Sequence, residues 1–371
     1  MTRARTRQQR RRSLLAVWSV LVALLSSCTS AAVQEDRPDT GITVMTRNLY
    51  VGTPVGDVFG ASTWPELVAA GSRAWATLLA SDFPTRAGAL ADEIVQARPD
   101  VVGLQEVTLW RDQIPGDVDT QRSPDATHVA FDFLAILLGE LDARGAPYTA
   151  VTTATNADVE FPRLDPAAGP VDLRLTDRDV LLVRTDLADM FGNPRDGRYT
   201  AQFGEPFLVG PATSTRSWTS IDYRPDPTTT VRILNTHLEV GGPVTGTVQQ
   251  RQGEEFLAVA TGSPHPVIAL GDFNSPADGS STPTYRTLTA VLHDAWTSRR
   301  PADPGWTCCQ APPLADPVGR EFTRIDLVLT SEDWSVPEVA RTGDLPFREA
   351  PAPLWASDHY GVVAEIDLPG R

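Results

Sequence analysis

Eight residues, Val267-Ile268-Ala269-Leu270-Gly271-Asp272-Phe273-Asn274, constrain this chain more than any others. Four consecutive apolar residues bounded by turn formers read as a strand buried on both faces. The strand ends in Gly-Asp-x-Asn and then Ser275-Pro276, which cannot continue it. Residues two apart on a strand point the same way. Asp272 and Asn274 therefore aim at one spot from the carboxyl end of a buried strand, the end where ligands bind in layered α/β folds. A carboxylate beside an amide oxygen suits a hard cation such as Mg²⁺. Taken alone, the tetrapeptide reads first as a strand followed by an Asx turn, because so short a pattern is common.

Other segments repeat the same grammar. Ile42 to Thr46 reads as a strand that delivers Arg47 and Asn48. Residues 64–80 and 86–97 have helical spacing, and Arg98-Pro99-Asp100 stops the second. The next strand, Val101 to Leu104, ends in Gln105-Glu106. A glutamate following a buried run needs a cation or an arginine beside it. Residues 110–126 read as loop, His128 to about Arg144 as a helix, and Tyr148 to Thr153 as a strand. Residues 154–176 read as a second polar loop, followed by a strand over Arg178 to Arg184. Shorter strands are expected at 203–209 and 217–223. Val231 to Leu234 leads into Asn235 and His237, again two apart and on one face. A helix over Val248 to Ala260 and a short one over Tyr285 to Leu292 follow. Arg324-Ile325-Asp326-Leu327-Val328-Leu329 sets one carboxylate in an apolar run, and Asp358-His359 precedes a last strand, Val362 to Ile366. No internal repeat or domain boundary is evident.

Composition closes several routes. The chain has no lysine; all 32 basic residues are arginine. Schiff-base chemistry and a P-loop are excluded. The amino terminus combines Arg3, Arg5, Arg7, Arg10, Arg11 and Arg12 with an apolar run from Leu14 to Leu25 and the end Ser26-Ser27-Cys28. That pattern is an export signal, too short for a comfortable membrane span. It resembles a bacterial lipoprotein signal over residues 1–27, with Cys28 as the lipidated first residue and 28–40 as a tether. Loss of those six arginines moves the formal charge from −15 to −21. So acidic a protein lacks the broad basic footprint of a nucleic-acid binder. Cys308 and Cys309 are the remaining cysteines, adjacent, and too few alone for a metal site.

Taken together and in order, Asn48-Leu49, Gln105-Glu106, Asn235-Thr236-His237-Leu238, Gly271-Asp272-Phe273-Asn274, Arg324-Ile325-Asp326 and Ser357-Asp358-His359 resemble the endonuclease/exonuclease/phosphatase superfamily. The resemblance covers one domain, residues 41–369. It implies an α/β fold, a four-layer sandwich of two mixed β-sheets flanked by helices, as in deoxyribonuclease I. It implies a Mg²⁺ site, with Mn²⁺ the second candidate, held by Asn48 and Glu106 with Asp272, Asn274 and Asp358 close by. His359 would be the general base and Asp326 its orienting partner. His237 and Asn235 would face the phosphate, with Asn274 also placed against substrate. The expected activity is that of a phosphoesterase, foremost a phosphodiesterase of a phospholipid head group or small phosphodiester. A secreted nuclease acting on nucleic acid is the alternative, and a non-catalytic binding lipoprotein the second. The expected setting is an exported monomer anchored to the membrane through Cys28. Arg178, Asp179, His128, His265 and His293 carry no assigned role.

Overall fold

The computed structural model describes residues 41–120, 124–348 and 353–368, without the side chains of 205–207 and 210–214. The signal over 1–27, Cys28 and the tether over 28–40 lie outside the described residues. The first half runs β1 (Gly41–Asn48), α1 (Gly56–Phe59), α2 (Trp64–Ser81), α3 (Phe83–Ala97), β2 (Val101–Gln105), β3 (Leu109–Gln113), β4 (His128–Asp132), α4 (Phe133–Ala143), β5 (Tyr148–Asp165) and β6 (Gly169–Arg184). A 3-10 turn (Thr185–Met190) leads to β7 (Phe191–Arg198), β8 (Phe203–Phe207), β9 (Gly210–Ser214), β10 (Ser217–Tyr223) and β11 (Val231–His237). Then come α5 (Gly246–Thr261), β12 (Val267–Asp272), α6 (Thr284–Thr289), β13 (His293–Asp294), α7 (Ala295–Arg299), β14 (Asp326–Thr330), β15 (Ser335–Thr342) and β16 (Gly361–Asp367).

These strands build two mixed sheets and a separate two-stranded sheet of β8 and β9. The first runs β15-β16-β1-β2-β6-β3-β4, with β5 along the other edge of β6; the second runs β13-β14-β12-β11-β10-β7. Each contains one parallel pair, β1 with β2 and β11 with β12. Helices α2 and α3 connect the first pair and α5 the second. The pleat sorts side chains into three apolar layers. Ile42, Val44, Val101, Ile233, Ile268 and Leu270 fill the space between the sheets. Met45, Leu104, Leu67, Leu90 and Leu137 pack the first sheet against α2, α3 and α4. Leu234, Val267, Ala269, Phe256 and Leu288 pack the second against α5 and α6. Three apolar layers separate four layers of structure, as the sandwich expectation requires.

Local chemistry sets the helix ends. Thr63 and Glu66 form a capping box before α2, so the helix begins at Trp64. Asp82 caps α3 by accepting from Thr85 N, and Arg98 in the left-handed conformation ends it. The start expected at residue 86 is therefore three residues late.

Three expectations require larger correction. The helix expected from His128 is a strand over His128–Asp132, and the helix begins only at Phe133. Asp132 caps that helix through Leu134 N and Ala135 N, and pairing with β3 holds 128–132 extended. The loop expected over 110–126 begins with β3. The polar stretch 154–176 is mostly strand: β5 and β6 pair from Tyr148↔Arg184 to Asp165↔Gly169. It is polar although largely buried, because Asn156, Glu160, Arg163, Asp172 and Thr176 lie inside and find hydrogen-bond partners there, and Pro162 is tolerated because β5 is an edge strand.

The sheets approach closely where β2 crosses β11. A Cβ added at Gly103 would lie 2.5 Å from Asn235 Oδ1 and 3.2 Å from Leu270 Cβ. Gly103→Ala should therefore wedge the two sheets apart. The expected cost is about 1–3 kcal/mol of stability, the usual range for overpacking. Equilibrium urea denaturation measures it; a midpoint equal to wild type would show that the interface is looser than described.

Candidate active site

The parallel pairs open at one edge of the sandwich, and four strand ends deliver side chains there. Asn48 ends β1, Glu106 follows β2, His237 ends β11 and Asp272 ends β12. Backbone geometry at the exits is unusual. Tyr50, Glu106 and Asn274 all have positive φ, at 63°, 56° and 46°. Gly271 is obligatory, since a Cβ there would lie 2.2 Å from Thr236 O. Left-handed residues beside strand ends turn the chain sharply and aim side chains into one cleft.

Asn48, Glu106, His237, Asp272, Asp326 and His359 come together. Asn48 Nδ2 donates to Glu106 Oε1 at 3.1 Å and to Asp272 Oδ2 at 3.2 Å. Its Oδ1 accepts from Tyr50 N at 2.9 Å. Asn48 as placed thus orients two carboxylates rather than offering its oxygen to a cation. Asp272 Oδ1 accepts from Asn274 N, and Asp272 Oδ2 lies 3.5 Å from His237 Nε2 and 3.8 Å from His359 Nε2. His359 Nδ1 lies 2.9 Å from Asp326 Oδ2, a pair 6% and 0% exposed. Asp326 Oδ1 has no hydrogen-bond partner among the described residues. Asn274 Nδ2 donates to Leu238 O, which holds the turn after β12.

Asn235 departs from expectation. It is fully buried, and its amide is committed: Oδ1 accepts from Gln105 Nε2 at 2.7 Å, and Nδ2 donates to Leu104 O at 3.3 Å. It bridges the two sheets beneath the cleft and does not face it. A polar residue two positions from a site histidine shares its strand face, but strand depth separates a residue in the cleft from one below it.

Charge is concentrated in a dry place. Burial, with Asp326 and Glu106 nearby, pushes the Asp272 carboxyl up to about 7 against the opposing pull of His359. Burial and Glu106 push Asp358 up to about 6, while His359 and Arg86 oppose. Burial alone would lower His359, but Asp326, Asp272 and Asp358 raise it well above the usual imidazole range. His237 moves the other way: burial, Arg216 and His359 hold it neutral. Glu106, Asp272 and Asp358 together offer hard oxygen donors whose mutual repulsion a divalent cation would relieve. Their donor chemistry suits such an ion, and the ligand atoms that lie within 4.8 Å of one another are those of Asp272, Asp326 and His359.

Several residues of the site were not legible beforehand. Arg86, buried in α3, donates to Leu49 O and Ala356 O, both at 2.8 Å. Arg47 pairs with Glu93 at 3.0 Å and donates to the carbonyl of His359. These two guanidiniums, with Ser357 Oγ donating to Asn48 O at 2.8 Å, tie the Asn48 loop to the His359 loop. Arg178 donates to Val107 O at 2.8 Å and pairs with Asp132 at 2.6 Å, so it braces the turn after Glu106. A cavity of about 130 Å³ opens beside Glu106 and His237. Val51, Val55, Phe59, Val159 and Leu175 form an apolar wall, and Asn156, Asp177 and Arg216 its polar end. Glu239 holds Arg216 at 3.3 Å.

A family model described as Endonuclease/Exonuclease/phosphatase family matches residues 76–359. No curated protein matches the sequence. Among solved structures, the chain is similar to an endonuclease/exonuclease/phosphatase family protein of Bacteroides thetaiotaomicron, with a TM-score of 0.53 and 16% identity over 88% of this chain and 97% of that one. It is similar to an endonuclease/exonuclease/phosphatase from Beutenbergia cavernae, with a TM-score of 0.51 and 21% identity over 89% and 72%. It is also similar to a mannosyl-6-phosphatase of Bacteroides thetaiotaomicron, with a TM-score of 0.50 and 16% identity over 88% and 100%. At these identities the likeness is one of fold.

A cation among the three carboxylates should stabilise the folded protein. The thermal midpoint is expected to rise with Mg²⁺ or Mn²⁺ and to return on chelation, with a gain of about 2.7 kcal/mol at a hundredfold excess over Kd. Glu106→Gln should flatten the response. A midpoint indifferent to both metals would remove the cation from this cleft.

Proposed function

The chain belongs to the endonuclease/exonuclease/phosphatase family, and on that premise we propose that it is a metal-dependent phosphodiesterase, working with Mg²⁺ and accepting Mn²⁺. The observation that carries the reading is the buried pair of Asp326 and His359, 2.9 Å apart at the edge of the carboxylate cluster. Asp326 holds Nδ1 and so leaves Nε2 as the basic nitrogen. Asp272 and Asp358 hold the imidazole protonated while their own charge is uncompensated; with that charge neutralised by a cation, His359 Nε2 would be free to take a proton from the attacking water, and Asp326 to stabilise the imidazolium that forms. His237, kept neutral by burial, sits across Asp272 and contributes a hydrogen bond toward the phosphate. Asn48 and Asn274 keep Glu106 and Asp272 in place. A divalent cation held by Glu106, Asp272 and Asp358 would supply charge stabilisation to the phosphate and the leaving oxygen.

The apolar wall of the adjoining cavity supports a diester over a simple monoester, because it gives an organic substituent somewhere to go. The acidic surface favours a phospholipid head group or small phosphodiester over nucleic acid. Export with a lipid at Cys28 and a monomeric state complete the proposal.

The test has two parts. Bis-p-nitrophenyl phosphate, p-nitrophenyl phosphate, sphingomyelin and plasmid DNA are offered with Mg²⁺ and with chelator. Diester hydrolysis that needs the metal is expected; a preference for the monoester would overturn the diesterase reading. On the best substrate, Asp326→Asn should lower kcat/KM by roughly 10²–10⁴-fold, the range for a positioned proton-transfer group. His359→Ala should cost at least as much, and the double variant little more, since the two act as a unit. Fully additive losses would show that Asp326 does not act through His359.

A further inference from the structure

Cys308 and Cys309 are the only cysteines among the described residues, and they lie against the base. Their loop is laced to the loop that carries Asp358 and His359. Tyr360 N donates to Thr307 O and Gln310 N to Asp358 O, both at 2.7 Å. Cys308 forms isolated bridges with Thr323 and with His359 itself. Cys308 is buried and Cys309 half-buried, and the two are joined as a vicinal disulfide. Cys309 Sγ lies 4.0 Å from His359 Nε2. One ligand atom from each of Cys308, Cys309 and His359 falls within 4.8 Å of the other two.

We propose that, once reduced, Cys308 and Cys309 with His359 Nε2 form a site for a thiophilic cation such as Zn²⁺, and that its occupancy takes His359 out of proton transfer. Donors around one tetrahedral zinc sit roughly 3–4 Å apart, given metal–ligand bonds of about 2.0–2.3 Å. Reduction frees the two sulfurs from their bond, and rotation of the cysteine side chains must then part them and bring all three donors to that spacing. The tautomer is already set. Asp326 on Nδ1 leaves Nε2, 4.0 Å from Cys309 Sγ, as the nitrogen that can ligate once its proton is displaced, the carboxylate–histidine–metal arrangement of known zinc ligands. Soft thiolates separate this ion from Mg²⁺, which the carboxylates prefer.

The site forms in a balanced step. A dithiol reductant gives two electrons and two protons to the Cys308–Cys309 bond; that bond breaks, two thiols form, and the reductant closes its own disulfide. Zinc binding then displaces the two thiol protons and the Nε2 proton of His359 to solvent. The effect on turnover rests on the role proposed above for His359; the binding does not.

The experiment uses the full chain, reduced with dithiothreitol, freed of it without air, and held in excess Mg²⁺. Cd²⁺ is the binding probe, read by its thiolate charge-transfer absorption, and Zn²⁺ the inhibitor. Reduced wild type should take up one equivalent of Cd²⁺; oxidised wild type and Cys308→Ser/Cys309→Ser should take up none. Asp326→Asn should weaken Cd²⁺ binding roughly 10–100-fold, as loss of a carboxylate behind a ligating histidine does. The serine variant should keep its Mg²⁺-dependent turnover and resist the Zn²⁺ that silences reduced wild type. If it does not fold, Cys309→Ser alone serves the same comparison. No charge-transfer band in reduced wild type would overturn the site. Equal zinc inhibition of oxidised, reduced and serine forms would place the zinc at the carboxylates and overturn it too. Binding without inhibition would keep the metal site and count instead against His359 as the base.

Discussion

Two parallel strand pairs packed face to face are the constraint on which the rest of this molecule depends. β1 and β2 lie against β11 and β12, and a buried amide bridge from Gln105 to Asn235 fixes their register across the interface. Because both pairs run to the same edge, their carboxyl ends face one another. Parallel neighbours require crossover connections, so the helices must cover the outer faces and the edge stays open. The site is thus a consequence of topology before any side chain is chosen. The glycine at 103 is what lets the sheets close to amide-bridge distance.

The second constraint is charge. Glu106, Asp272, Asp326 and Asp358 converge where water is scarce, and unpaired carboxylates there are costly. The protein answers in two ways. His359 stands among them and is driven toward its charged form. Buried arginines, all guanidinium in a chain without lysine, bind carbonyls on both sides of the cleft. Arg86 keeps its charge even though burial draws it down to about 10, and it stacks against Phe83 and Tyr50. Through Nη1, each guanidinium donates to backbone carbonyls of the loops that carry Asn48 and His359. Those loops are held by arginine more than by regular secondary structure. The charge left uncompensated among the carboxylates is of the kind a divalent cation relieves.

How far the sequence revealed this can be judged residue by residue. Short buried runs ending in a polar residue gave away β2, β11, β12 and β14 with their cargo, because burial on both faces leaves an uninterrupted apolar signal. The β5–β6 hairpin was missed for the opposite reason. Its buried positions include polar side chains such as Asn156, Glu160, Arg163 and Asp172, so no apolar run marks the strands and the stretch reads as loop. Residues 128–132 were misread because an apolar helix follows them directly, and only the cap at Asp132 marks the boundary. Asn235 shared a strand face with His237, but its depth was not written in its spacing. Arg47, Arg86, Arg178 and Arg216 carried no local pattern at all, since their partners lie far along the chain.

The amino-acid sequence by itself determined the apolar strands, the polar residues at their carboxyl ends, the absence of lysine chemistry and, through six ordered motifs, the family and its layered fold. Those are properties of local periodicity and composition, which act over a few residues. Only the tertiary structure decided which of those polar residues reach one cleft, which lie beneath it, and which face of each carboxylate is already occupied. It alone set a cysteine pair against His359, fifty residues away along the chain. Proximity of that kind arises when sheets pack and loops interlock, and no short-range pattern encodes it.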